Sequence, residues 1–276
     1  MRHQMPQPTA APTLAGRMCM QSGQVVFAGS GPGDPDLLTL KALAALQQAE
    51  VILFDRLVSP EILELAGPQA ILENVGKEGF GAQVSQQHIC NRLITHAQAG
   101  KRVLRLKSGD ATLFGRLDEE LSACDAAGVR YQIVPGITAA SAAVAGIGQS
   151  LTQRGRNSSV RYLTGHDTQG FADHDWQALA RPGEVAAIYM GKKSARFVQG
   201  RLLMHGANPA TAVTVVENAS RTNQRVLETT LGQLPADLAE ARFDGPALTF
   251  LGLAPRASLT ALPDLPVQTD LKMELA

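Results

Sequence analysis

Four stretches of this 276-residue chain carry residue types that can do chemistry. The first is Gly29-Ser-Gly-Pro-Gly-Asp-Pro35, a loop whose glycines let a ligand come close to the backbone, or simply make a tight strand-to-helix turn. It misses the dinucleotide fingerprint, because Gly33 comes one residue too soon. The second runs from Leu106 to Glu120 (LKSGDATLFGRLDEE). There Asp110 follows two small residues, and Arg116 leads into an acidic first turn that suits a helix N-terminus or that Arg116 pairs with directly. The third, Val134 to Gly146 (VPGITAASAAVAG), leaves room for a flat ligand or for close helix packing. The fourth, His166 to Trp176, holds two histidines at no common metal-ligand spacing, and Asp175 reads more simply as a helix N-cap, so no metal is expected. Asp55 and Lys77 each end an apolar run. Sequences for a serine-hydrolase elbow, a zincin helix or a P-loop are absent.

These groups need a scaffold, and Val25 to Asp55 reads as one: strand, glycine loop, helix, strand, with the strands parallel by the right-handed crossover rule. Ligands of such sheets bind beyond the carboxyl ends of the strands, so the glycine loop and Asp55 belong on one edge. Asp34 and Pro35 start a helix in which Leu37, Leu40, Leu43 and Leu46 share a face. Strands follow at Val51–Phe54, Ile71–Val75, Val103–Leu106 and Tyr131–Val134, alternating with helices near 85–99 and 117–127, a pattern for a mostly parallel sheet covered on both faces. A helix over 138–148 leads into a second unit with strands at Val160–Thr164, Val185–Met190, Ala212–Glu217, Arg225–Thr229 and Ala247–Leu251 and a helix over 231–241. The short link between two of these, 212–217 and 225–229, predicts an antiparallel pair. The expected division is a disordered leader over 1–23, an N-terminal α/β domain over 24–135, a C-terminal α/β domain with a mixed sheet over 136–256 and a loose tail over 257–276.

Lys and Arg balance Asp and Glu at 25 each, which argues against a general nucleic-acid or membrane-surface binder. Cys19, Cys90 and Cys124 are an odd, scattered set and read as reduced thiols of a cytoplasmic protein. No apolar run is long enough for a bilayer, and none follows Arg2 as a signal peptide would require.

Taken together, the motifs resemble one family. The glycine loop with LLTLKAL, the block Phe54 to Ser59, Val75-Gly-Lys77, RLKSGDATLFGR, VPGITAAS, Tyr189-Met-Gly191 and Val215-Val-Glu-Asn218 with Gln224-Arg-Val226 stand in the order and spacing of uroporphyrinogen-III C-methyltransferases, over roughly residues 25–254. The resemblance implies two α/β domains of the tetrapyrrole methylase type, with S-adenosylmethionine in the inter-domain cleft and a homodimeric assembly. It implies two successive C-methylations of uroporphyrinogen III to precorrin-2, with S-adenosylhomocysteine as by-product, on a route to sirohaem, cobalamin or haem d1. By the same carry-over Asp55 is the proton acceptor and Lys77 the proton donor; Pro32, Ser108, Gly109, Asp110, Leu113, Thr138, Ala139, Met190 and Ala219 line the cofactor; Arg56, Arg116, Glu119 and Arg154 face the polyacidic substrate.

The chain departs from the family pattern at Ser108, Ala111, Leu117, Asp118, Gly146, Gln149, Ser150, Gln153 and Ala219. Most of these flank the tetrapyrrole, which leaves open a paralogue acting on another macrocycle or a protein that binds without turnover.

Overall fold

The computed structural model describes residues 18–76, 85–167 and 170–256. Two five-stranded sheets carry it. The first holds β1 (Gln24–Gly29), β2 (Val51–Phe54), β3 (Ile71–Asn74), β4 (Val103–Lys107) and β5 (Arg130–Val134) in the order β3-β2-β4-β1-β5, every neighbouring pair parallel. So β1 and β2 are parallel as expected but not adjacent, since β4 lies between them. Strand alternation sorts the core into two faces. Val26, Ala28, Ile52, Leu104 and Leu106 pack on α1 (Leu40–Gln48) and α2 (Pro60–Leu63). Val25, Phe27, Leu53 and Val103 pack on α3 (Gln86–Gln98) and α4 (Leu117–Ala126).

The second sheet holds β6 (Arg161–Thr164), β7 (Ala186–Tyr189), β8 (Ala212–Glu217), β9 (Arg225–Thr230) and β10 (Ala247–Leu251) in the order β6-β7-β10-β8-β9. Only β6 and β7 run parallel; β10 is antiparallel to both its neighbours, and β8 and β9 form the antiparallel pair that their short connection requires. The small-residue helix α5 (Ala139–Gly146) packs Ala140, Ala143 and Val144 on one face of this sheet, against Ala187, Val216 and Phe250. On the other face lie α6 (Trp176–Leu179), α7 (Ala195–Met204) and α8 (Leu234–Ala241).

Three expectations need correction. Asp34 caps only a single 3-10 turn, Pro35–Leu37. Leu38 is extended, and α1 starts anew with the Thr39 hydroxyl accepting from the Ala42 amide. The buried face of α1 is then Ala42, Ala45 and Leu46, while Leu40 is half exposed. Residues 18–23 are not loose: Met18 and Met20 are buried against the α1 face of the first sheet, and the Gln48 amide donates to the Met18 carbonyl. Likewise β4 extends one residue further than expected and includes Lys107. The expected caps at Ser85 and Asp175 are present, accepting from the amides of His88 and Ala178. Lys77, residues 1–17 of the expected leader and the tail over 257–276 lie outside the described residues.

Candidate functional site between the two sheets

At the carboxyl ends of the first sheet three glycines let three chain segments meet. A Cβ on Gly29 would lie 2.5 Å from the Gly109 carbonyl oxygen and 2.7 Å from Gly136 Cα. Gly31 and Gly109 exchange backbone hydrogen bonds of 3.1 and 2.7 Å, tying the β1 loop to the β4 loop. Asp110 ties the β4 loop to the β5 loop: its carboxylate accepts from the Thr112 amide at 2.7 Å and the Gly136 amide at 3.1 Å. Side-chain oxygens of Asx residues stabilise turns in this way.

These loops form one wall of a cavity of about 1350 Å³, and loops of the second sheet form the other. A cavity of that size exceeds the several hundred Å³ usual for one small ligand and has room for two. Pro32, Ser108, Gly109, Asp110, Leu113, Thr138, Ala139, Met190 and Ala219 all line it, and so do Asp55 and Arg56. Arg116, Glu119 and Arg154 do not. Arg116 instead makes a bidentate pair with Glu119, both bonds 2.7 Å, with about half of each side chain in solvent. Arg154 is exposed in a turn-rich stretch over 152–157.

Backbone strain concentrates here. Phe114, Met190 and Asn218 have φ of 52°, 55° and 51°, the left-handed region that non-glycine residues avoid, and all three line the cavity. Strain held by the surrounding fold is a mark of functional sites. Tyr189, at the end of β7, bridges the two halves. Its hydroxyl pairs with the Thr138 hydroxyl and accepts from the Ala140 amide at 3.2 Å, and Phe114 packs on its ring at 5.1 Å between centroids. Burial raises the Tyr189 pKa, so the hydroxyl stays protonated. A second tie comes from Arg221, which donates to the carbonyls of Leu57 at 2.6 Å and Pro32 at 3.4 Å across the cleft.

Beneath the first wall lies an ionic chain. Asp55 accepts from Arg105 Nη2 at 2.5 Å; Arg105 Nε reaches Glu120 at 3.1 Å; Lys107 Nζ reaches both Glu120 oxygens at 3.0 Å. Arg105, Lys107 and Glu120 are 2%, 2% and 0% exposed. Burial works against the Arg105 charge, but Asp55 and Glu120 outweigh it and hold its pKa above the ordinary arginine value. For Lys107, burial and then the neighbouring Arg105 win over Glu120 and lower the pKa.

Of the cations on the cavity wall, Lys192 is used up on the carbonyls of Phe243 and Gly245, Arg225 on Glu217 and the Ala241 carbonyl, and Arg221 on the tie just described. Arg56 and Lys193 are exposed and have no such partner among the described residues. Sequence reasoning missed Lys193, Tyr189, Phe114 and the Arg105–Glu120–Lys107 chain. Tyr189 and Phe114 sit inside motifs already singled out; the ionic chain has no local signal.

Among the described residues no group of three His, Cys, Asp or Glu is placed to hold a metal ion, and no helix is long and apolar enough to cross a membrane. His174 bonds the Thr164 carbonyl at 2.9 Å and His166 the Met190 carbonyl at 3.2 Å, so both histidines tie loops together.

Comparison with known proteins gives these features a context. The siroheme synthase of Stutzerimonas stutzeri is 43% identical over 242 residues, 88% of this chain and 52% of that one. The siroheme synthase of Edwardsiella ictaluri is 46% identical over 233 residues, 84% and 50%. The chain thus spans about half the length of the curated relatives it matches. Among solved structures, a uroporphyrin-III C-methyltransferase from Thermus thermophilus complexed with S-adenosylhomocysteine superposes with TM-score 0.71 at 34% identity, covering 83% of this chain and 92% of that one. A cobalt precorrin-4 methyltransferase superposes at 0.74 with 25% identity, covering 83% and 95%. The family model of the tetrapyrrole (corrin/porphyrin) methylases matches residues 24–235, and the chain belongs to that family.

Proposed function

We propose that the protein is an S-adenosylmethionine-dependent uroporphyrinogen-III C-methyltransferase that makes precorrin-2 by two successive methylations. Membership of the tetrapyrrole methylases carries the coarser part, methyl transfer from S-adenosylmethionine to a tetrapyrrole carbon. The observation that supports the finer reading is the shared cavity: the nine residues expected at the cofactor and Asp55 and Arg56, expected at the substrate, line the same space.

The wall suits the methyl donor. Gly109, Ala139 and Ala219 are small enough for a nucleoside to approach the backbone, and Leu113 and Met190 add apolar surface beside them. Because the Asp110 carboxylate and the Thr138 hydroxyl are already committed to Gly136, Thr112 and Tyr189, their part is to hold the wall in shape. S-adenosylmethionine supplies a methyl group on a sulfonium that is already a good leaving group. What remains for the chain is to orient the pyrrole carbon in line and to take up the proton that the methylated ring loses. Asp55 stands at the cavity wall as the acceptor, its carboxylate held in place by the Arg105 guanidinium. Lys77, outside the described residues, is the proposed donor. Arg56 and Lys193 face the propionate and acetate carboxylates of the substrate, to which guanidinium and ammonium groups bind well. Arg116, Glu119 and Arg154 do not line the cavity and have no part in this reading of the substrate site. The expected assembly is a cytoplasmic homodimer.

The test is methyl transfer to freshly made uroporphyrinogen III, read by mass. Two added methyl groups are expected. Methylation of a different macrocycle only would point to a paralogue, and S-adenosylhomocysteine binding without any transfer to a binding protein; either would overturn the reading.

A further inference from the structure

In β4 the side chains of Val103, Arg105 and Lys107 lie on the face that packs against α3 and α4, yet the last two are charged and buried. Burying ions costs several kcal/mol each, and apolar residues of similar size would fill such positions at no loss of stability. The chain Asp55–Arg105–Glu120–Lys107 also has both its ends, Asp55 and Lys107, on the cavity, while its middle lies in the core beside α4. Glu120 is its hub. It accepts from Arg105, from Lys107 twice and from Gln86 of α3 at 3.0 Å, and no part of its side chain reaches solvent.

We infer that Glu120 and Arg105 are positioning residues for methyl transfer: Glu120 fixes the Arg105 guanidinium, and Arg105 in turn fixes the Asp55 carboxylate at the cavity wall. The inference rests on the proposed role of Asp55. A guanidinium is needed because one planar group must donate to two carboxylates at once, which the point charge of a lysine does not reproduce. Lys107 is the counterweight. While charged, it holds Glu120 from the other side; once deprotonated, it leaves Glu120 to Arg105 alone and loosens the hold on Asp55. The groups facing this cluster are Arg105 from β4, Asp55 after β2, Gln86 and Cys90 from α3 and Glu119 from α4.

The variants Glu120→Gln and Arg105→Lys are assayed for kcat, KM and S-adenosylhomocysteine affinity, beside Asp55→Asn. Both are expected to lower kcat ~100-fold, the cost of a misplaced reacting group, while the affinity stays as in the parent protein. The alkaline fall in kcat that titration of Lys107 produces is expected to disappear in Glu120→Gln, because Lys107 reaches Arg105 only through the Glu120 carboxylate. A kcat unchanged in either variant, a rate restored by lysine at position 105, or a loss of kcat in step with affinity would overturn the inference. If Glu120→Gln does not fold, the paired variant Glu120→Leu with Lys107→Met removes one charge of each sign from the core; a folded protein with low kcat supports the inference, and full rate overturns it. Should Asp55→Asn itself keep full activity, the assignment of the proton acceptor fails; should Asp55→Asn fail to turn over while Arg105→Lys remains active, only the positioning role fails.

Discussion

Gly29→Ala probes how the cavity wall is built. The φ of Gly29 is not in the left-handed region, so alanine is not excluded by backbone conformation. Space excludes it. The new Cβ would sit 2.5 Å from the Gly109 carbonyl oxygen, and real Cβ atoms essentially never come within 3.0 Å, so the β1 and β4 loops must part by at least about 0.5 Å. Every near neighbour is backbone, with no flexible side chain to give way. Overpacking of this kind costs roughly 1–3 kcal/mol. For a chain of this size that is a fall in Tm of about 2–12 °C. The same displacement moves Gly31 and Gly109, which exchange backbone hydrogen bonds, and Asp110, which follows Gly109 and accepts from the Gly136 amide, and should weaken S-adenosylhomocysteine binding about tenfold, or 1.4 kcal/mol. Thermal unfolding and calorimetric titration read the two effects. Gly200→Ala in α7, where a Cβ meets nothing within 4 Å, serves as the control and should be neutral or stabilising by roughly 0.5–1 kcal/mol. A Gly29→Ala protein with parental Tm and parental affinity would refute the claim that three touching backbones shape the wall.

Asp55→Asn and Lys77→Ala should each cut turnover while sparing S-adenosylhomocysteine affinity; steady-state rates beside titration decide, and full activity in either removes that residue from its role. Arg56→Ala and Lys193→Ala should raise KM for the tetrapyrrole about ten- to a hundredfold and leave the cofactor untouched, in keeping with hydrogen bonds to charged groups of about 1.5–3 kcal/mol; an unchanged KM places the substrate carboxylates elsewhere. Acid stability offers a test away from the cavity. Burial works against the Glu73 carboxylate, but Arg92 at 2.5 Å and His96 at 2.8 Å outweigh it and hold its pKa below the ordinary glutamate value. A carboxylate depressed in the folded state stabilises it above the unfolded pKa and loses that contribution as pH falls through the folded one. Glu73→Gln should therefore narrow the stability difference between neutral and acid solution in urea titrations; an unaltered difference would show the cluster contributes nothing.

Much of the fold is written in short-range patterns. β8 and β10 begin and end where their apolar runs do, and the antiparallel turn of β9 onto β8 follows from a connection too short for a crossover. What failed was decided by one local cap and by contacts remote in sequence. The leucine repeat over 37–46 has a helical period, but Leu38 takes an extended conformation and the Thr39 cap restarts the helix with another face inward. Met18 and Met20 stand in a polar, proline-rich context typical of a leader, and only their burial beside α1 shows that they belong to the core. Lys107 looked like the first residue of a loop because a lone lysine is seldom buried; Glu120, thirteen residues on and in the next helix, makes it possible.

The cavity residues were legible through the family resemblance, which assigns them position by position; those of the first sheet also lie in loops at strand ends, where the topology of a parallel sheet puts ligands. Charged residues that act on the substrate were less so. A sequence names Arg116 and Glu119 as readily as Arg56, whereas the structure pairs the first two with one another in solvent and puts Arg56 on the cavity wall.

A crystal structure of the protein with S-adenosylhomocysteine tests the central claim most directly. The ligand is expected in the cavity between the sheets, touching Ser108 to Asp110, Thr138, Ala139 and Met190, with open space left beside Asp55. A ligand seated anywhere else, such as the smaller groove between Met20 and Gln69, would contradict the account.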